Sequence, residues 1–225
     1  MVPKKKLSKR YTLSKLEAGW REKIFSSIHS ERLKLAVAVL STTGCRPSEL
    51  ERGVMVRLFN GKLTIGIQGA KVDVETGRGQ PLRVLVVDSM SPWGEYLLEH
   101  ATMQGDQTIL IQYDAGGISQ RLREKSRELW PRRKVLISAY TYRHFLGKSM
   151  KESGEPPEKI ASTLGHATDY AQTMYGRAGG ARKSAGQHGV KVAQATNPIR
   201  HSSKTDRLER FGNSQQHKNG SATAM

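Results

Sequence analysis

Between Val54 and Ile67 the sequence repeats every two residues on either side of an Asn-Gly pair, a pattern that no helix can bury on one side. Val54, Val56 and Leu58 alternate, Asn60-Gly61 follows, and Leu63, Ile65 and Ile67 alternate again. A period of two puts all six on one face of two strands. Asn-Gly is the strongest short hairpin signal, because a type I′ turn needs positive φ at both central residues. A Gly-containing loop over about 72–81 follows, and Leu82 to Val87 reads as a third strand. The expectation is a small three-stranded antiparallel sheet with one apolar face that helices must cover.

The flanking sequence supplies those helices. Leu13, Leu16, Trp20, Ile24 and Ile28 recur at spacings of three and four, which predicts a helix from a Thr12 cap to about Ser27. A second helix over 31–43 is apolar nearly all round and should be buried, with Gly44 ending it. Pro47 suits the first position of a new helical turn, with Arg46 just outside. Beyond the third strand, helices are expected from Ser91-Pro92, over about 118–130 up to Pro131, over about 138–152, from Pro156-Pro157 to Gly165, and from Tyr170 to about Ala178. The fold class is therefore α+β, mostly α-helical, over residues 12–178. A basic arm at 1–11 precedes it. A basic, largely disordered tail at 179–225 follows, with a short strand expected at 190–193.

The formal net charge of +17 calls for a polyanionic partner, nucleic acid first. The first ten residues carry five basic side chains and no acid, and 176–225 carry nine against two, so the body over 11–175 holds only +5. A single cysteine, Cys45, excludes an intrachain disulfide. No apolar run approaches the roughly 20 residues needed to span a bilayer. No apolar segment follows the charged N-terminus to make a signal peptide. A cytoplasmic, DNA-associated setting without a membrane partner is the expectation.

Three constellations carry candidate chemistry. In Thr43-Gly44-Cys45-Arg46-Pro47-Ser48-Glu49-Leu50, Arg46 sits at a helix–helix junction beside free backbone N–H groups, a place that suits a phosphate, and Glu49 three residues on can orient it. In Tyr140-Thr141-Tyr142-Arg143-His144, Tyr140 and Arg143 share a helix face. Leu164-Gly165-His166 is followed nine residues later by Tyr175. Taken singly, each has an ordinary explanation: an exposed Arg–Glu pair, an aromatic pair on a buried helix, a glycine cap. Competing motifs fail. Gly147-Lys148-Ser149 lacks the P-loop glycine five residues earlier, where Tyr142 stands, and there is no HExxH, paired CxxC or GxSxG.

Taken together and in this order, with Lys71 beside the hairpin, the constellations resemble the tyrosine recombinase (phage integrase) family over about residues 12–178. The resemblance implies that family's catalytic-domain fold. It also implies a site-specific recombinase or integrase that cleaves and rejoins duplex DNA through a 3′-phosphotyrosyl intermediate. Tyr175 would be the nucleophile. Arg46 and Arg143 would hold the non-bridging phosphate oxygens, with His166 contacting the same phosphate. Lys71, in Gln68-Gly69-Ala70-Lys71, would protonate the leaving 5′-oxygen, and Glu49 would support Arg46. No cofactor or metal is implied, since a phosphotyrosine retains the bond energy needed for rejoining. The implied partners are double-stranded DNA, further copies of the chain assembled as a tetramer on DNA, and accessory DNA-binding proteins.

Two departures stand out. Tyr140 occupies a position where the family usually has histidine, and a phenol can donate a hydrogen bond but is a poor general base near neutrality. The family usually places a separate helical domain ahead of the catalytic one, whereas about eleven residues precede the first expected helix here. Tyr170, four residues after His166, is a rival nucleophile that the family spacing disfavours. The reading requires an accessible Tyr175 hydroxyl and both arginines on one face. Alternatives are relaxation of DNA in the manner of a type IB topoisomerase, and an accessory DNA-binding protein with weakened catalysis.

Overall fold

The computed structural model of the protein describes residues 13–73, 75–175 and 188–207. The expected basic arm, residues 176–178 of the last expected helix and much of the expected tail lie outside them. In chain order the elements are α1 (Trp20–Ser26), α2 (Glu31–Thr43), α3 (Pro47–Arg52), β1 (Val54–Phe59), β2 (Lys62–Gln68), β3 (Leu82–Val87), α4 (Pro92–Thr102), β4 (Thr108–Ile111), α5 (Ala115–Leu129), α6 (Ala139–Glu152), α7 (Pro157–Leu164), a 3₁₀ helix (Asp169–Tyr175) and β5 (Val190–Ala195). Helix and antiparallel sheet are mixed, with helix predominating.

The hairpin forms as its sequence dictates. Asn60 and Gly61 both have positive φ, at 48° and 69°, and Val56 faces Ile65 across β1 and β2. The sheet, however, has five strands rather than three, in the order β4-β1-β2-β3-β5, every neighbour antiparallel. The two additional strands line the outer edges: β4, which the sequence did not mark, and β5, which covers the short strand expected at 190–193 and joins it to this sheet. β4 has four residues, of which Ile111 alone is buried, so it lacks the alternation that marks a half-buried strand. β5 returns from beyond Tyr175 to pair with β3, and both pairings are long-range contacts that no local pattern announces.

One sheet face is dry. Val54, Val56, Ile65, Ile67 and Leu85 have no exposed surface, and Val87 and Ile111 very little. The other face carries Met55, Leu110 and Val192 in the open. Helix α2 runs through the core with ten of its thirteen residues buried, capped by the Ser30 hydroxyl at its start and by Gly44 at its end. The expected first helix is interrupted: residues 13 and 14 are helical, the chain then leaves the helix, and it resumes at Trp20 after Gly19 adopts a left-handed conformation (φ 73°) that helical residues do not take. Leu16 still packs on the core from the preceding turn. The last expected helix is a 3₁₀ segment instead, wound at about three residues per turn. No helix among the described residues is long and apolar enough to cross a membrane.

Leu85 and Leu110 test the two faces against each other. Leu85→Ala is expected to lower the unfolding free energy by about 2–5 kcal/mol through the lost burial and the cavity left behind. Leu110→Ala, 63% exposed in the wild type, should change it by less than about 0.5 kcal/mol in the same urea titration.

Candidate active site

The site grows from the junction between α2 and α3. Arg46 is the N-cap of α3 in extended backbone conformation, Pro47 follows at the first helical position, and Glu49 is at the third. Glu49 reaches back to accept the Arg46 backbone N–H at 2.8 Å and the Arg46 guanidinium at 2.6 Å. From the opposite side Arg83, on β3, donates Nη2 to Glu49 Oε2 at 2.8 Å and Nη1 to Oε1 at 3.2 Å. The carboxylate therefore accepts four hydrogen bonds while fully buried. Burial pushes its pKa up, but the charge and hydrogen bonds of Arg83, with Arg46 and Arg143, outweigh that and hold it at about 2. Glu49 stays ionised and fixes Arg46 in place.

Arg143 projects from α6, whose first turn is closed by the Ser138 N–H donating to the Thr141 hydroxyl at 3.0 Å. It is 2% exposed, and its guanidinium is used on every side. Nε donates to the Tyr175 hydroxyl at 2.9 Å, Nη1 to the Gly44 carbonyl at 3.1 Å, and Nη2 to the Leu164 carbonyl. Nη2 also lies 3.2 Å from His166 Nε2. Burial lowers the Arg143 pKa, partly offset by Tyr175.

His166 follows Gly165, the left-handed residue (φ 66°) that closes α7. Burial first, then the charges of Arg143, Arg46 and Arg83, depress its pKa to about 2, so the ring is neutral at physiological pH. An arginine N–H can only donate. Nε2 is thus the bare, accepting nitrogen, with the ring proton assigned to Nδ1, and Nε2 also lies 2.8 Å from the Tyr175 oxygen. The phenol consequently accepts from Arg143 and donates to His166.

Tyr175 ends the 3₁₀ helix with its ring against Gly147 of α6, where an added Cβ would meet Tyr175 Cγ at 2.7 Å. The His144 ring stands edge-on to it at 5.0 Å. Here the structure corrects the sequence expectation: Tyr175 is 6% exposed rather than open at the surface. The physical reason is this close fit on a glycine, with the hydroxyl drawn in between two hydrogen-bonding partners. The hydroxyl does not lie in an apolar interior. Around it, Arg46, Arg83 and Arg143 outnumber the single charge of Glu49, leaving an excess of two positive charges.

Two expected residues are not brought into this network. Lys71 is exposed on the β2–β3 loop, and Tyr140 is 39% exposed on α6. Among the described residues no hydrogen bond joins either to Tyr175, Arg143 or His166. The rival Tyr170 is 37% exposed, with the Lys204 ammonium 5.7 Å from its ring. Sequence reasoning missed Arg83, although a signal existed. Leu85 and Val87 mark the inward face of β3, and a period of two puts Arg83 on it. Gln80 was missed as well. It is buried, with its amide nitrogen on the His166 carbonyl at 3.2 Å and its oxygen accepting from the Asn197 N–H at 2.9 Å.

No protein-family model matches the chain, and no curated protein matches it in sequence. Solved structures do. The crystal structure of XerA recombinase superposes with a TM-score of 0.50 at 17% identity, covering 71% of this chain and 58% of that one. XerH site-specific recombinase bound to its difH substrate, in a pre-cleavage complex, gives 0.50 at 19% identity, over 71% of this chain and 49% of that one. The chain therefore spans about half to three fifths of the length of these recombinases. The fold it shares with them is that of the tyrosine recombinase catalytic domain.

The neutral imidazole has a measurable signature. The unfolded chain takes up a proton at His166 near pH 6.5, whereas the folded chain does so only near pH 2. Stability associated with His166 is therefore complete above pH 6.5 and lost as the pH falls below it. Glu49 adds a loss in the same direction only below about pH 4.5. Between pH 6.5 and 4.5, His166→Asn should lose less stability than the wild type, by up to about 1.4 kcal/mol per pH unit. Urea titrations at pH 4.5, 5.5 and 6.5 measure the difference. Parallel curves for the two proteins would mean that His166 carries a proton in the fold.

Proposed function

We propose that this chain is a site-specific DNA recombinase of the tyrosine recombinase family, which cleaves and rejoins duplex DNA through a 3′-phosphotyrosyl link at Tyr175. One observation carries the reading: the Tyr175 hydroxyl bonds to both Arg143 and His166, and Glu49-braced Arg46 adds a further positive charge felt by both. The shared fold and the +17 net charge support a DNA substrate.

In the proposed reaction, Tyr175 attacks the scissile phosphorus, its oxygen becomes bonded to the 3′-phosphate, and the 5′-oxygen leaves. Negative charge accumulates on the non-bridging oxygens in the transition state, and Arg46 and Arg143, fixed beforehand, stabilise it more than the ground state. The phenol proton passes toward His166 Nε2, the nitrogen that already accepts it. A bound phosphate brings a negative charge beside the imidazole and so raises its proton affinity. This role for His166 answers the poor basicity of Tyr140. Lys71, on the β2 side of the β2–β3 loop, would protonate the leaving oxygen once DNA draws the loop over the site. Tyr175 would have to move outward from Gly147 to reach the phosphorus. Further copies of the chain on the same DNA, as a tetramer, would complete strand exchange, and accessory DNA-binding proteins are proposed as additional partners.

The burial of Tyr175 and the outlying positions of Lys71 and Tyr140 favour a second reading, an accessory DNA-binding protein of the same fold with weakened catalysis. One assay separates the two. The protein is incubated with a pool of nicked, random-sequence duplexes, and denaturant-resistant adducts are collected and mapped by mass spectrometry. An adduct on Tyr175 is expected, abolished in Tyr175→Phe and formed on the order of 100- to 1000-fold more slowly in Arg143→Ala. DNA retention with no adduct in the wild type would establish the accessory role instead.

A further inference from the structure

Arg83 has no role in the resemblance to known recombinases, yet it is among the largest fully buried side chains described. All three of its nitrogens are engaged. Two close on Glu49, and Nε donates to the Thr163 carbonyl in the last turn of α7 at 2.9 Å. The turn that follows lies directly on the guanidinium, since a Cβ on Gly165 would meet Arg83 Nη1 at 2.7 Å. One planar group thus joins the carboxylate that aims Arg46 to the helix end that presents His166 and that offers the Leu164 carbonyl to Arg143.

We propose that Arg83 is a positioning residue: by clamping Glu49 and the end of α7 together, it holds Arg46, Arg143 and His166 in the spacing that binds an oxyanion. The role of that oxyanion as a scissile phosphate rests on the reading above, but the spacing itself does not. Lysine cannot replace Arg83, because one ammonium on a flexible stem cannot meet both Glu49 oxygens and the Thr163 carbonyl in one plane. Nor does Arg83 touch the anion, being walled off by Glu49 on one side and the α7 turn on the other.

Inorganic sulfate is the probe, followed through the ¹⁵N-labelled side-chain Nε–H signals of Arg46 and Arg143. The parent protein is Tyr175→Phe, which removes the oxygen that now occupies Arg143 Nε. Sulfate should shift both signals in the parent. Adding Arg83→Lys should raise the sulfate Kd at least about tenfold, the usual scale for losing a residue that orients direct contacts. Arg21→Lys is the control. Arg21 is comparably buried, stacked 4.2 Å over Trp93 and 4.1 Å over Phe145. Its loss should lower stability and leave the sulfate Kd unchanged. If Arg83→Lys does not fold, Arg83→Met with Glu49→Leu removes both buried charges together and should fold with the same loss of sulfate affinity. An unaltered Kd in the folded Arg83 variant, an equal loss in the Arg21 variant, or no sulfate binding in the parent would overturn the proposal. Arg83-dependent sulfate binding in the Tyr175→Phe background, together with no Tyr175 adduct from the wild type, would keep the positioning role and remove the recombinase reading.

Discussion

The structure depends on a single carboxylate held in the dry interior by two guanidiniums. Glu49 has no exposed surface and four donors. Removing Glu49 would leave two neighbouring guanidiniums with no counter-charge, which ordinarily destabilises a fold by several kcal/mol. A hydrophobic trio in the same place would serve stability equally well. The ion triad therefore points to a need other than stability: it fixes two positive groups at a set distance, Arg83 wholly buried and Arg46 at the edge of solvent. Reorganisation on binding an anion is then small, which is the condition under which fixed charges act most strongly on a reaction.

Much of this was legible in the sequence, and the parts that were not share a cause. The hairpin, the buried helix α2 and the α3 junction are written in local periods and caps, and each lies where those signals put it. The meeting of Tyr175 with Arg143 and His166 was legible only through family spacing, since nothing local in a Leu-Gly-His turn and a tyrosine nine residues later demands contact. The edge strand β4, the pairing of β5 with β3 and the fork of Arg83 are defined by partners 34 to 112 residues away in the sequence, and residue patterns carry no range information of that kind. Arg83 could still have been flagged, because a charge in the inward register of a strand requires a buried partner.

The exposure of Tyr175 was misjudged for a different reason. From the sequence, the Tyr175 hydroxyl is expected on the surface of the folded body, with Arg46, Lys71, Arg143 and His166 around a bound anion. The short side of the matter is Gly147: without a side chain there, the phenol ring sinks onto α6 until its oxygen meets the two polar groups waiting beneath. The sequence showed Gly147 as the remnant of a failed P-loop and gave no hint that it is the floor under an aromatic ring.

The segment following the site has its own mechanical effect. Asp169, the first residue of the 3₁₀ helix, is gripped by the Ser202 N–H at 3.0 Å, the Thr205 hydroxyl at 2.9 Å and His201 at 2.7 Å, while β5 is stitched to the edge of the sheet. The polypeptide carrying the phenol is thus moored at one end by a side-chain knot and, fifteen residues past Tyr175, by a strand. Were the phenol to leave Gly147, Asp169 would be the fixed end of its swing, on a radius of six residues or roughly 12 Å at the rise of a 3₁₀ helix. Movement about that anchor would leave the pairing of β5 with β3 in place.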